Sequence, residues 1–355
     1  MALVVVVTVP WRIAALDHGR WRADEAEAQL ALARGVDRWV AEGDLGRDSF
    51  TTGHARFDAE WLFGTHVMAA LGFGQVAEAH PAHRDEMVAA MDRALDRLAA
   101  PDLAAFDREG WGEEALATDR GHVAYLGYYG LALGLRARLG PSRHDTLRER
   151  FEQALVTRFE RELLVETYPG ERYPVDNAAG IGALALAPRP DAAPIVRRWL
   201  AALEERWRDP KSGLVIQSID HDGGPVDAPR ASGTALAAYF LGFADEAVAR
   251  SLYESLEASA GGAVIGFGAM KEYPDGHRGL GDVDSGPLIA GYSISGTGFA
   301  LASVRRFGTP ERFAQLWAST RLFGLPRARG ERFHFVLGGP LGDAILFAML
   351  TGGAR

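Results

Sequence analysis

Four prolines recur along the chain, each opening a run of small and apolar residues. They are Pro174 (YPVDNAAGIGALALA), Pro229 (APRASGTALAAYFLGF), Pro287 (SGPLIAGYSISGTGFALA) and Pro340 (GGPLGDAILFAML), spaced by 55, 58 and 53 residues. Proline is tolerated in the first turn of a helix, where its missing N–H would lack a partner anyway. The runs are apolar on nearly every side, so they predict helices buried all round. A repeat of this period, with one buried helix per unit, predicts stacked or ring-closed helical hairpins.

Amphipathic stretches fill the intervals. Ala23–Val40, His83–Leu98, Arg143–Arg158, Ala192–Arg206, Ala244–Leu256 and Pro310–Leu322 each carry one apolar stripe and one charged face, as surface helices do. Two further apolar helices, Phe57–Phe73 and His122–Gly134, fit the series without a leading proline. Inner helices are thus expected to start near 57, 122, 174, 229, 287 and 340. Six alternating hairpins with Gly- and Ala-rich inner helices predict an all-α fold, an (α/α)6 barrel. Two domains or an open solenoid are the competing arrangements. Parallel inner helices would place all their N-termini at one mouth. Short β segments, Leu214–Asp220, Ala263–Tyr273 and Arg332–Leu337, are expected to decorate it.

The expected division is an N-terminal apolar arm over 1–22 and a single barrel over 23–355. Within the arm, Ala2–Val9 (ALVVVVTV) is too short to cross a bilayer, which takes about 20 residues. It reads as a strand or docked arm, or as the stub of a membrane anchor. Membrane association upstream of residue 10 is therefore one expectation, and the compartment stays open.

A formal charge of −9 with no basic stripe argues against a nucleic-acid partner. The absence of cysteine excludes disulfides, thiolate metal sites and cysteine nucleophiles. No zinc ligand set, phosphate loop or GxSxG elbow occurs. The expectation is chemistry without metal or cofactor, on a small molecule or an oligosaccharide.

Four clusters fall at inner-helix entrances, where loops and helix dipoles converge. The first brings Tyr168, Tyr173, Asp176 and Asn177 together; Asp176 and Asn177 also suit helix capping. In the second, Asp282 and Asp284 lie two residues apart, which in an extended segment points both carboxylates one way. One could then keep a proton at neutral pH, though Asp284 or Ser285 could equally serve as a cap. The third holds His54, Asp58, Glu60 and Trp61, with His66 further along as a core histidine. The fourth is Asp220-His221-Asp222-Gly-Gly, a turn signature, followed by Asp227 and Arg230. Arg230 either pairs with Asp227 or clamps an anionic group. Tyr125, Tyr128 and Tyr129 on one inner helix cannot all hide their hydroxyls without partners, and Tyr239 is a further aromatic expected at or near the mouth.

The six-hairpin pattern, with its Tyr-Pro and Asp-bearing inner-helix entrances, resembles the α/α-barrel and toroid enzymes: glycoside hydrolases, polysaccharide lyases, sugar epimerases, terpene cyclases and the linalool dehydratase/isomerase family. Asp282-Val-Asp284-Ser285 is similar to a degraded proton-donor motif of class II terpene cyclases. The resemblance implies an acid–base enzyme. Asp284 and Asp176 are the expected carboxylate pair, with Tyr173 and Asp282 assisting. Arg230, His54, Glu60, Trp61, Tyr168, Asn177, Tyr128 and Tyr239 are the expected substrate-binding residues. A carbohydrate is the first substrate class. The alternatives are an isoprenoid-like alcohol undergoing dehydration, isomerisation or cyclisation, and a non-catalytic binding protein on the same fold.

Overall fold

The computed structural model describes residues 10–43, 45–282 and 285–352. The expected apolar segment Ala2–Val9 and the candidate Asp284 lie outside the described residues. After a short helix α1 (His18–Arg22), long helices alternate in two roles. The outer ones are α2 (Ala26–Glu42), α4 (Arg84–Leu98), α7 (Asp145–Arg161), α9 (Ala192–Ala202), α11 (Glu246–Ala260) and α13 (Pro310–Gly324). The inner ones are α3 (Ala55–Ala79), α6 (Val123–Arg138), α8 (Pro174–Leu186), α10 (Ala231–Leu241), α12 (Ile294–Phe307) and α14 (Gly339–Thr351). A small helix α5 (Ala105–Trp111) sits in the connection before α6.

Each inner helix packs on the next: α3 on α6, α6 on α8, α8 on α10, α10 on α12, α12 on α14. The last, α14, packs on the first, α3, so the ring is closed. The chain is an (α/α)6 barrel, and an open solenoid is excluded. Small residues set the inner spacing. A Cβ at Gly127 would stand 2.6 Å from the backbone nitrogen of Gly180, so α6 and α8 can approach this closely only without one. Outer helices follow the amphipathic rule; α11 buries Ala249, Leu252, Leu256 and Ala260, and the Asp245 side chain caps its Ala247 and Val248 N–H groups.

Connections differ sharply between the two ends. Inner-to-outer links are tight, such as 308–309, 242–245 and 80–83, whereas outer-to-inner links are long, as in 203–230 and 261–293. All the long links gather where the inner helices begin. They carry a four-stranded antiparallel sheet of β1 (Gly261–Val264), β2 (Phe267–Lys271), β3 (Leu288–Ile289) and β4 (Tyr292–Ser293), in the order β1-β2-β4-β3. Gly261 pairs with Met270, and Met270 with Ser293. A hairpin of β5 (Pro326–Arg329) and β6 (Arg332–Phe335) precedes α14. The stretch 214–220 forms isolated bridges instead of a strand: Arg208 to Val215, Ile216 to Pro229, and Ile219 to both Arg172 and Pro225.

Two proline expectations need correction. Pro174 and Pro340 occupy the first turns of α8 and α14 as expected. Pro229 lies one residue before the N-cap, Arg230, and is bridged to Ile216. Pro287 does not open a helix; the β3–β4 hairpin follows it, and α12 begins only at Ile294, with the Ser293 hydroxyl accepting from Gly296 N–H. Of the described N-terminal residues, Asp17 accepts from Trp317 Nε1 at 2.7 Å and from Arg321, and buried Trp21 packs against Trp317.

Candidate functional site

At the mouth, the loop 162–173 and the first turn of α8 hold Asp176 in a polar nest. Tyr128 on α6 donates its hydroxyl to Oδ1 at 3.0 Å, and Thr167 donates to Oδ2 at 2.7 Å. The loop itself is clamped: Thr167 N–H donates to Glu171 C=O, and Trp111 Nε1 donates to Thr167 C=O at 2.9 Å. Among the described residues no arginine or lysine forms an ion pair with Asp176. Burial therefore dominates and pushes its carboxyl up to about 6, against the two hydroxyl hydrogen bonds, which pull it down. The side chain keeps some exposure. A carboxyl that titrates near 6 can give and take a proton near neutrality.

Beside this nest, the Tyr168 hydroxyl donates to Glu60 Oε2 at 3.1 Å, and the Arg56 guanidinium lies over the Tyr168 ring at 4.3 Å. Burial and the neighbouring Glu60 carboxylate push the Tyr168 phenol up, so it stays a donor. Tyr173 donates to Glu171 at 2.8 Å. Trp61 is half-buried with its ring edge-on to Phe50. His54 occupies the N-cap position of α3 without a side-chain capping bond and lies exposed with its ring on Phe57. Asp58 is tied back to the Thr52 N–H and hydroxyl, which hold its carboxyl below the usual range. Glu60, Trp61, Tyr128, Tyr168, Tyr173 and Asp176 thus share one side of the mouth.

Other expected residues do different work. Asn177 is fully buried and accepts from Val165 N–H while donating to the carbonyls of Val165 and Tyr173, a clasp between α8 and the loop before it. Tyr239 sits eight residues into α10, about 12 Å below its entrance at 1.5 Å per residue. Its hydroxyl donates to Gln75, which in turn donates to Ala348 C=O and Thr351 near the far end of the ring. His66 is buried, shares a hydrogen bond with Leu62 C=O, and is pushed down to about 4 by burial.

Of the expected pair Asp282 and Asp284, one of which could keep a proton, Asp282 is not that one. Burial alone would raise its carboxyl, but Ser285 N–H and the Arg230 guanidinium outweigh it and hold the group below the usual range. Arg230 pairs with Asp282 and not with Asp227, which accepts from the Ser218 hydroxyl at 2.8 Å. Asp220 accepts from Gly224 N–H, closing the expected turn.

Sequence reasoning passed over Glu272 and Gln217. Glu272 is fully buried behind the first turn of α10. The Ser232 hydroxyl donates to its Oε1 at 2.5 Å, and burial pushes its carboxyl up against the pull of Ser232, Ser293 and Arg230. A lone Glu in the apolar stretch AVIGFGAMKEY gave no chemical signal. Two open hollows, of about 480 and 530 Å³, lie outside the ring between outer elements, the first beside Glu204 and Arg208, the second beside Glu149 and Arg189. Neither is lined by the mouth residues.

A closed ring of six hairpins, with the long links and short strands gathered where the inner helices begin, defines the α/α-toroid fold. No family profile matches the chain, and no curated protein matches its sequence. Solved structures do match in fold. The chain is similar to a D-mannose isomerase (TM-score 0.51, 11% identity, covering 81% of this chain and 86% of that one). It is also similar to the GH76A α-1,6-mannanase of Salegentibacter sp. HEL1_6 (TM-score 0.54, 14% identity, covering 91% and 98%). An inactive variant of that mannanase, with two adjacent aspartates replaced by alanine and α-1,6-mannotetrose bound, gives a TM-score of 0.53 at 12% identity, covering 91% and 98%. Identities this low establish the shared fold alone.

Proposed function

We propose that this protein is an acid–base enzyme acting on a carbohydrate, with Asp176 as the group that gives and takes the proton. The observation that carries the reading is the Asp176 nest: a carboxyl at the mouth, poised near 6, oriented by Tyr128 and Thr167. Proton transfer by such a group contributes about 10²–10⁴-fold to a rate. Glu60, Tyr173 and Arg56 supply the polar rim that sugar hydroxyls require, the buried Tyr168 holds Glu60 in place, and Trp61 offers a ring face for stacking. Solved relatives in fold include an isomerase of mannose and a mannanase, so hydrolysis and isomerisation are both open to this site.

One feature favours the second reading, an isoprenoid-like alcohol. On the inner helices α10 and α14, Leu236, Leu341, Ile345 and Leu346 are half-buried and apolar. The polar rim argues for the sugar. The deciding experiment incubates the wild-type protein and Asp176→Asn with D-mannose, α-1,6-linked mannooligosaccharides and an unsaturated tertiary alcohol, following products by chromatography. Turnover of a sugar that disappears in a folded Asp176→Asn protein supports the proposal. Turnover of the alcohol alone, or sugar turnover indifferent to the substitution, sinks it.

A further inference from the structure

The first turn of α10 gathers three polar side chains whose hydrogen-bonding capacity is incompletely used. Arg230, its N-cap, is 9% exposed; Nη1 is engaged by Asp282, whereas Nε has no partner among the described residues. Gln217 is 8% exposed, and its Oε1 likewise lacks a partner among those residues. It leans so closely on the helix that a Cβ at Gly233 would stand 2.6 Å from that oxygen. Glu272 is fully buried; Oε1 accepts from Ser232, and Oε2 is left without a donor among the described residues, because the nearby Ser293 hydroxyl gives its hydrogen to Ser285 C=O at 2.9 Å. Buried polar groups are nearly always paired, so three such atoms around one helical turn call for a ligand. A Cβ at Gly296 would stand 3.3 Å from the Ser232 nitrogen, so this turn of α10 packs beside the first turn of α12, at the end where the inner helices begin.

We propose that Arg230, Gln217 and Glu272 form a subsite at the head of α10 that takes a pair of neighbouring hydroxyls from a neutral sugar. The inference rests on the carbohydrate reading and names its substrate class. One hydroxyl donates to Gln217 Oε1 and accepts from Arg230 Nε; the next meets Glu272 Oε2. Hydroxyls both donate and accept, so they satisfy this mixed set. An anionic sugar fits worse. Asp282 already neutralises Arg230, and a carboxylate has no hydrogen to offer Gln217. Tyr273, whose ring lies 5.7 Å from the Arg230 guanidinium carbon, walls the site from the β2 side. The braid of Ile219 with Arg172 ties the segment carrying Gln217 to the loop that carries the Asp176 nest, so the subsite and the acid share one mouth.

The test measures binding by saturation-transfer NMR and by shift of the melting temperature, with D-mannose, methyl α-D-mannoside and mannuronate as probes. The proteins are the wild type, Gln217→Leu, Glu272→Gln and Asp176→Asn. Gln217→Leu removes an unpaired buried oxygen, so it is expected to fold at least as well as the wild type. The expected result is binding of the neutral sugars to the wild type and to Asp176→Asn, and weakening of tenfold or more in Gln217→Leu. Mannuronate should bind more weakly than mannose. Wild-type binding that persists in Gln217→Leu overturns the subsite while leaving the role of Asp176 intact. Absence of neutral-sugar binding by the wild type, or a preference for mannuronate, overturns it as well. Normal turnover in Asp176→Asn together with lost binding in Gln217→Leu would overturn the acid assignment and keep the subsite.

Discussion

Asp176 lies in the first turn of an inner helix and Asp282 in the link that leads into another, and their surroundings drive the two carboxyls in opposite directions. Asp176 receives two hydroxyl hydrogen bonds and no ion pair from a described arginine or lysine, and burial raises it to about 6. Asp282 receives a backbone N–H and an arginine, and these hold it below the usual range. Side-chain type and spacing therefore do not assign an acid in this mouth. The presence or absence of a cation beside the carboxyl does.

The largest expected effect breaks the comparison at the chemical step. Asp176→Asn should lower kcat on a sugar substrate by about 10³-fold, whereas Asp282→Asn should act chiefly on stability. Equal losses of kcat in both variants would erase the distinction.

A second measurement uses the sign of the pH dependence. The folded-state value of Asp176 lies above its unfolded value, so the native state holds the proton longer. Its contribution to stability falls as pH rises between about 4 and 6, by roughly 3 kcal/mol at 1.36 kcal/mol per unit. Asp282 is depressed, so its contribution is present above the unfolded value and is lost as pH falls through the lower folded value. Denaturant melts of wild type minus each Asn variant should therefore slope in opposite directions with pH. Parallel difference curves would refute the assignment of the two environments.

Smaller still, Asp282→Asn strands the Arg230 charge. Removing one partner of a buried pair costs 3–5 kcal/mol. The Asp282 side chain is 36% exposed, so solvent screening reduces the expected loss to about 2 kcal/mol, read as a lowered denaturant midpoint. The finest test is Tyr128→Phe. Losing one hydrogen bond to the ionised form should move the alkaline limb of the rate profile up by roughly 0.7 unit, about 1 kcal/mol. A limb that stays in place would detach Tyr128 from the titration of Asp176.

The barrel was legible because its logic is repetitive. Runs such as ASGTALAAYFL have no polar face, and amphipathic helices alternate with them, so inner and outer layers follow from composition by position. Pro287 misled because the same Gly-Pro signal serves a helix start and the approach to a hairpin; only the pairing of Leu288 with Ser293 tells them apart. The acids were legible as residues but not in their roles. Arg230 and Asp282 are 52 residues apart in the chain, and nothing near either names the other. The burial of Asp176 depends on Tyr128 from another helix. Glu272 escaped notice because its partners, Ser232 and Arg230, arrive from a different hairpin.

The seam between α14 and α3 joins elements from opposite ends of the described chain. During synthesis, five inner helices must wait as an arc with two unsatisfied apolar flanks until the sixth clears the ribosome. At about 5–20 residues per second that interval lasts several seconds, long enough for misassembly between nascent copies. The annular form thus makes closure of the ring hinge on α14, and a frameshift or premature stop ahead of that helix should yield aggregate in place of a partly working ring.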